Sequence, residues 1–198
     1  MKQYYIPYFP GAKKHNLLQI LYLYNVAEYD KQSRLYNKIT FQSLDELTRR
    51  INEAAGESVL SKSTLSRLLN NEEYKGYFSY DREHKEIILN NNFRSKPGAK
   101  EKQTFIVLPG VAFETLLKTK DNLLIQYYFY LRYACGISRS GRTDSTAKQF
   151  LAACGYSITS GSYLSKIAGY NSFLSTTGLL TIKKSRDENG RERNEYSM

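Results

Sequence analysis

Two short segments of this chain carry hydroxyl, amide and basic side chains at helical spacing. They read SKSTLSRLLN over residues 61–70 and SGSYLSKIA over residues 160–168, and they repeat one pattern 99 positions apart. Such side chains suit phosphates and base edges, because guanidinium groups pair with guanine and hydroxyls bond phosphate oxygens. The candidate contact residues are Lys62, Ser63, Thr64, Ser66, Arg67 and Asn70 in the first segment, and Ser160, Ser162, Tyr163 and Lys166 in the second.

Each segment also contains an apolar stripe at spacings of three and four residues, which predicts a helix with one buried side. Ser61 and Ser160 precede the two helices and are candidate N-caps. The polar residues then lie on the opposite, exposed side. The predicted buried stripes are Leu65, Leu68 and Leu69 in the first helix, and Leu164, Ile167 and Ala168 in the second.

Two β-rich segments, residues 76–91 and 178–198, each predict a pair of strands around a polar turn. Asn189-Gly190 favours a two-residue turn, because both residues tolerate a positive φ. Cations on such hairpins are expected to contact phosphates and so add affinity and salt dependence rather than sequence reading. The candidate residues are Arg82 and Lys85 in the first hairpin, and Lys183, Lys184, Arg186, Arg191 and Arg193 in the second.

The similarity extends beyond these helices and predicts a tandem duplication. Residues 51–68 align without a gap on residues 150–167, with seven of the eighteen positions identical, Gly56 and Gly155 among them. Upstream, NLLQILYLY from Asn16 matches NLLIQYYFY from Asn122 at five of nine positions. Each copy reads as helix, strand, helix, turn, helix, hairpin, the order of a winged helix-turn-helix. The predicted fold is therefore mainly α with small β-hairpins, an α+β chain of two winged helix-turn-helix domains.

A polar, basic segment separates the two copies and contains Pro97-Gly98. It predicts a linker over residues 93–104, between a first domain at 1–92 and a second at 105–198. The segment TFIVLPGVAFETLLKTK, residues 104–120, adds a strand and an extra helix at the start of the second copy.

Charge and composition narrow the partner and the compartment. The formal net charge is +10, the isoelectric point is near 9.4, and both halves of the chain are basic. Such an excess favours a polyanion, with nucleic acid ahead of an anionic membrane surface. The N-terminal residues lack the pattern of a signal peptide, and the apolar runs are too short to span a bilayer. With only two cysteines, we expect a cytoplasmic protein with reduced thiols and no membrane partner.

Catalytic chemistry finds little support in the sequence. The only histidines, His15 and His84, lie far apart, and no nucleophile elbow, P-loop, dinucleotide fingerprint or zinc-protease motif is present. We therefore predict a protein that is not an enzyme and needs neither a metal nor a cofactor. The 18 tyrosines suggest stacking on RNA or a single strand. Core packing is the preferred account of those beside leucines, such as Tyr22, Tyr24 and Tyr127.

The closing hairpin resembles the wing of winged-helix replication initiator proteins of plasmids and phages. Those wings read Gly-Leu-hydrophobic, a basic strand, a Gly turn and Asn-x-Tyr, and the residues at these places are Gly178, Leu179, Gly190, Asn194 and Tyr196. Tandem winged helices also occur in the initiators that bind iterons. The resemblance implies binding to a replication origin, with optional repression of the protein's own gene.

The sequence thus predicts a sequence-specific double-stranded DNA-binding protein that acts on origin repeats. It would bind as a monomer or homodimer, with replication machinery proteins as further partners. A transcriptional regulator is an alternative that needs the same contacts. A tandem winged-helix scaffold for other proteins is a second alternative, although its surface is expected to be acidic or apolar. A covalent tandem further predicts a non-palindromic site of about 20 base pairs, since two recognition helices on one face lie about one turn apart.

Overall fold

The computed structural model describes residues 2–9, 15–31, 35–90, 104–186 and 189–198. Within them, 48% of the residues are helical and 24% lie in strands, in a mixed α and β structure with small antiparallel sheets. The prediction that helix exceeds strand is confirmed. The helices are α1 Leu17–Val26, α2 Leu44–Ala55, α3 Lys62–Asn70, α4 Gly110–Thr119, α5 Asn122–Ile137, α6 Ala147–Ala153 and α7 Gly161–Thr176. The strands are β1 Gln3–Tyr8, β2 Glu28–Asp30, β3 Leu35–Thr40, β4 Phe78–Asp81, β5 Glu86–Leu89, β6 Thr104–Pro109, β7 Arg142–Thr143, β8 Thr181–Arg186 and β9 Glu192–Ser197.

The described residues form two compact units. The first comprises those of Met1–Pro7 and His15–Lys120, and the second those of Tyr8–Lys14 and Asp121–Met198. The division after Lys120 differs from the predicted start of the second domain at 105, because β6 pairs with β1 and the Phe113 ring of α4 stacks on Tyr4 at 3.7 Å. The predicted linker lies outside the described residues, apart from Thr104, which begins β6.

The first unit contains α1, α2, α3 and α4 and a four-stranded sheet of order β2-β3-β5-β4. Helix α1 contacts α2, α4 and β3, and α3 packs on α2. Ser43 caps α2 by accepting the Glu46 amide, and Gly56 ends the helix at φ 75°. Within α2, Leu47 and Ile51 face the core because they lie four residues apart on one side of the helix. Side chains with no exposed surface form this core: Ile20, Leu21, Leu23, Tyr24, Ile39, Leu47, Leu65 and Ile87.

The second unit contains α5, β7, α6, α7 and the hairpin β8–β9, whose strands join β7 in the order β7-β9-β8. From α1 to β5 the first unit has a similar order, but with two strands, β2 and β3, between its first two helices. Thr146 and Gln149 form a reciprocal capping box at the start of α6. Gly155 follows α6 at φ 70°, and its aligned counterpart, Gly56, has the same left-handed conformation. The core contains Ile125, Tyr127, Phe129, Leu131, Phe150, Leu151 and Leu174, which have no exposed surface.

The second hairpin does not form the two-residue turn predicted at Asn189-Gly190. Arg186 pairs with Glu192, so that five residues, 187–191, separate the paired strands. A two-residue turn would have placed Arg186 opposite Arg193, and like charges directly opposite each other are destabilising. The observed register instead sets Ile182 against Tyr196 on the buried face. Cross-strand pairing therefore overrides the local turn preference.

The tyrosines of the first helix in each unit are core residues, as predicted. Tyr22 and Tyr24 of α1 are buried, as are Tyr127 and Tyr128 of α5. Tyr130 is half-buried, with its ring 5.5 Å from that of Phe150. These aromatic side chains hold each first helix against the remainder of its unit.

Opposite stability changes are expected from alanine at two glycines. Gly56→Ala places a Cβ in the left-handed region and should lower the free energy of unfolding by about 1–2 kcal/mol. Gly169→Ala lies inside α7 with open space around the added Cβ and should raise it by about 0.8–1 kcal/mol. Urea unfolding followed by circular dichroism measures both. Equal effects of one sign would contradict the backbone conformations described above.

Candidate nucleic-acid interface

The polar face of α3 is exposed where the sequence predicted it. Leu65, Leu68 and Leu69 are buried, as expected of the stripe. Ser61 caps the helix by accepting the Thr64 amide at 3.2 Å, which confirms its capping role. Lys62, Ser63, Arg67 and Asn70 are exposed, whereas Thr64 and Ser66 are half-buried.

The polar groups of α3 are already engaged by their own unit. The Ser61 hydroxyl lies 3.0 Å from that of Ser63, and the Lys62 ammonium lies 2.6 Å from the Asp45 carboxylate of α2. Arg82 of the first hairpin donates to the Asn70 side-chain oxygen at 2.7 Å. The structure thus brings together two candidate residues, one from the helix and one from the hairpin, at the end of α3.

The first hairpin turns through residues 82–85 between β4 and β5. Asp81 organises this turn by accepting the amides of Glu83 and His84 and by contacting the His84 ring at 2.8 Å. Lys85 is exposed and adopts φ 50°, and its carbonyl accepts the Phe41 amide. Only two of the four turn residues are permanent cations, and Asp81 and Glu83 offset their charge.

The exposed face of α7 differs in part from the prediction. Ile167 is buried, but Leu164 is half-buried and Ala168 is exposed, so the predicted stripe is wrong at Ala168. Leu174, seven residues beyond Ile167, takes the next core position, because α7 continues to Thr176. Ser160 occupies the N-cap position without accepting a backbone amide.

Among the remaining candidates on α7, Ser162 and Lys166 are exposed. Tyr163 was expected to face outward, but it is half-buried with its ring 5.2 Å from that of Tyr156. Packing between these two rings explains the difference. The Lys166 ammonium has no ion-pair partner among the described residues, and Lys166 is the one Lys or Arg residue within α7.

The second hairpin is exposed along both strands beyond its buried base. Arg193 pairs with Asp144 at 2.9 Å, and Lys184 pairs with Glu192 at 3.4 Å. Lys183 and Arg186 form no ion pair with any described residue, and both are exposed. Arg191 is also exposed and lies in the turn. Among the predicted cations of this hairpin, Lys184 and Arg193 are therefore paired, whereas Lys183 and Arg186 remain available.

A difference in charge separates the two units at their matched segments. Residues 145–186 contain five Lys or Arg residues and no Asp or Glu. Residues 44–81, which cover the corresponding elements α2, α3 and β4, contain five Lys or Arg residues and seven Asp or Glu residues. Acids flank the basic stretch, with Asp144 before it and Glu192 and Glu195 on β9. The potential over α6, α7 and β8 therefore attracts a polyanion more strongly than the potential over α2, α3 and β4.

Sequence reasoning overlooked a cation on α6. Lys148 lies in the first turn of this helix, is exposed, and has no ion-pair partner among the described residues. Its aligned position in the first unit is Arg49, which pairs with Glu53 at 2.6 Å. The residue aligned with Glu53 is Ala152, which cannot pair with Lys148. The alignment alone could therefore have indicated that Lys148 is available to an anion.

The cysteines are buried and free, and burial raises the pKa of the Cys154 thiol to about 11. Burial likewise raises the pKa of Cys135. Both thiols are therefore protonated near neutral pH. In the described part of the chain, no three His, Cys, Asp or Glu side chains are grouped as metal ligands. None of the described helices has both the length and the apolar character needed to cross a bilayer.

No protein-family model, curated protein or solved structure matches the chain. The resemblance of the closing hairpin to the wings of replication initiators therefore stays a prediction that rests on the residues alone.

The two histidines should titrate on opposite sides of the ordinary imidazole pKa of 6.5. Burial lowers the pKa of His15, whereas the hydrogen bond to Asp81 raises the pKa of His84. The His84–Asp81 pair accordingly contributes stability below pH 6.5 and loses it as the pH rises through the raised pKa of His84. Nuclear magnetic resonance titration of the imidazole protons measures both values.

Asp81→Asn provides the control, because it should lower the midpoint of His84 and leave that of His15 in place. A His84 midpoint at or below 6.5 in the parent would contradict the geometry of this turn.

Proposed function

We propose that this protein is a sequence-specific double-stranded DNA-binding protein that acts as a replication initiator at origin repeats. The observation that carries the proposal is the acid-free stretch 145–186, which spans α6, α7 and β8 and exposes Lys148, Lys166, Lys183 and Arg186. A helix and a hairpin strand that expose cations outside ion pairs suit the major groove and its flanking phosphates.

We interpret both units as winged helix-turn-helix domains, in which α3 and α7 are the recognition helices and the two hairpins are the wings. Both units contain three helices and a hairpin in a similar order, and Gly56 and Gly155 follow the middle helices in the same left-handed conformation. In such a domain the middle helix braces the third across the DNA backbone, which places Lys148 of α6 near phosphates.

The two units are expected to contribute unequally. The second supplies most of the phosphate contacts, because Lys166, Lys183 and Arg186 form no ion pair with any described residue. The first presents Ser63, Arg67 and Asn70 on a surface whose other charges are largely paired. These side chains suit base edges more than phosphates, so the first unit adds specificity rather than bulk affinity.

Two alternatives use the same surfaces differently. A transcriptional regulator would make the same DNA contacts, and direct repeats near the gene would favour the initiator instead. A protein-interaction scaffold has support only in the first unit, where Lys62, Arg49 and Arg50 are all ion-paired. The basic second unit argues against that role for the whole chain.

Substitutions should separate base contacts from phosphate contacts. Arg67→Ala and Lys166→Ala should each weaken binding to a selected duplex by about 1–3 kcal/mol and relax specificity at one position. Lys183→Ala and Arg186→Ala should instead weaken binding to every sequence and reduce the salt slope by about 1 each. Gel-shift titrations in rising salt measure both effects.

Lys62→Ala is the matched control for the charge effect, since Asp45 already neutralises Lys62 and its removal should change the salt slope less. If the four test variants all bind like the parent, the proposed DNA contacts of these surfaces are wrong.

The form of the DNA site provides a separate test. Two unlike recognition helices in one chain impose no palindrome, and engagement of one face of the duplex places them about 34 Å or 10–10.5 base pairs apart. Hydroxyl-radical footprinting should show one asymmetric block on the order of 20 base pairs per monomer. A strict palindrome that needs two chains, or protection by one unit only, would count against tandem binding.

A further inference from the structure

A chain of side-chain hydrogen bonds holds the base of the second hairpin to two helices. The hydroxyl of Tyr127 on α5 donates to the Asn171 side-chain oxygen on α7 at 2.8 Å. The Asn171 amide nitrogen in turn donates to the Tyr196 hydroxyl on β9 at 3.3 Å. Tyr127 is fully buried, and Tyr196 is 4% exposed. Three elements are thus joined through two buried tyrosines and the half-buried Asn171.

Tyr196 lies where all three strands of its sheet meet. It stands opposite Ile182 of β8 and opposite Thr143 of β7, and its carbonyl oxygen accepts the Cys135 thiol at 3.4 Å. A displacement of Tyr196 therefore moves the whole sheet. The Asn171 bond fixes this residue with respect to the recognition helix.

The same strand contains the Asn-x-Tyr pattern, and phosphate binding does not explain why these two residue types are needed there. Asn194 lies two residues from Tyr196 on the same face of β9, and its amide nitrogen is 3.5 Å from the Tyr196 hydroxyl. Across the hairpin, Asn194 faces Lys184, and Arg186 lies two residues further toward the tip. The base of the hairpin sets the direction in which these cations project. There, the Tyr196 hydroxyl accepts hydrogen bonds from the Asn171 and Asn194 amides.

We propose that Asn171 is a positioning residue, which fixes the angle between the recognition helix α7 and the wing through Tyr196. The inference rests on the proposed function, because the angle matters only if helix and wing contact one duplex together. Apolar packing of the Tyr196 ring alone would keep the hairpin in contact with its unit but would not fix the angle between the hairpin and α7. The hydrogen bonds fix this angle because they are directional.

Tyr196→Phe is the central variant, since it removes the hydroxyl and keeps the buried ring. Tyr170→Phe is the matched control, because it also removes a hydroxyl bond between α7 and α5, in that case to Asp121 at 2.6 Å, but leaves the hairpin untouched. Asn171→Ala removes the two bonds that Asn171 forms, one with Tyr127 and one with Tyr196. Tyr196→Phe is the milder of the two and keeps the test valid should Asn171→Ala fold poorly.

Amide hydrogen exchange tests the positioning without DNA. Tyr196→Phe removes the acceptor of the Asn171 and Asn194 amides and should speed exchange in β8 and β9 about two- to tenfold. Tyr170→Phe should leave exchange in these strands within about twofold of the parent. Equal exchange of the hairpin amides in both tyrosine variants would overturn the proposal, because the lost bond would then have no specific effect on the wing.

A double-mutant cycle tests the consequence for DNA. In the parent background, the double substitution Lys183→Ala/Arg186→Ala removes the wing charges and should lower the affinity for a 30-base-pair duplex by a measurable factor. In the Tyr196→Phe background this factor should shrink at least about threefold, since a misdirected wing no longer meets the phosphates. The same factor should persist in Tyr170→Phe.

The outcomes separate the two proposals. Losses that add within about twofold in the Tyr196→Phe background would show that the network does not direct the wing charges, and the inference fails. If the parent binds no duplex, the proposed function fails, and the hydrogen-exchange comparison alone then decides whether Asn171 positions the hairpin.

Discussion

In both units, the packing of helices and strands depends on one constraint, which is that a buried tyrosine hydroxyl needs a hydrogen-bond partner. The chain has 18 tyrosines and no tryptophan, and many of its largest core side chains are tyrosines. A hydroxyl buried without a partner costs about 1–3 kcal/mol, comparable to a sizeable part of the stability of a small domain. Among the described residues, no buried side-chain nitrogen or oxygen lacks a partner. Each ring therefore fixes both a packing position and the place of the group that meets its hydroxyl. In the first unit, the Tyr24 hydroxyl reaches the carbonyls of Tyr5 and Asn90, which ties α1 to β1 and to the end of the hairpin.

The same constraint acts differently in the two units. The first hairpin is held through main-chain carbonyls, whereas the second is held through the side chains of Asn171 and Tyr196. Main-chain partners persist through most substitutions, because every residue has a carbonyl. Side-chain partners depend on the identity of one residue. The geometry of the second hairpin can therefore change through substitution of a single residue, and this hairpin belongs to the unit with more unpaired cations.

The sequence predicted those features that depend on local rules. Ser61 caps α3, Gly56 ends α2, and the leucines of α3 are buried, because spacing and backbone conformation decide these features over a few residues. The errors concern contacts between distant segments. Ala168 is exposed because α7 extends farther than its counterpart, and the hairpin register follows the Arg186–Glu192 pairing rather than the Asn-Gly turn. Pairing of β6 with β1 could not be read from either strand alone. Within the interface, the exposure of the cations followed from the pattern, but which of them are neutralised depends on acids remote in sequence, as Asp144 is from Arg193.

The aligned acids Asp45 and Asp144 explain how one fold acquires two electrostatic characters. Each lies 99 positions from the other, close to the start of the middle helix of its unit. Asp45 pairs with Lys62 at the start of α3, but the residue aligned with Lys62 is Gly161, which has no side chain to offer. Asp144 pairs instead with Arg193 on the hairpin. The acid in the first unit therefore neutralises Lys62 on α3, and the acid in the second neutralises Arg193 on β9. Arg67 and its aligned counterpart Lys166 form no ion pair with any described residue, so α3 and α7 each keep one such cation. The difference between the units therefore lies at the start of the third helix and on the hairpin, where the Arg193–Asp144 pair joins β9 to the loop before α6.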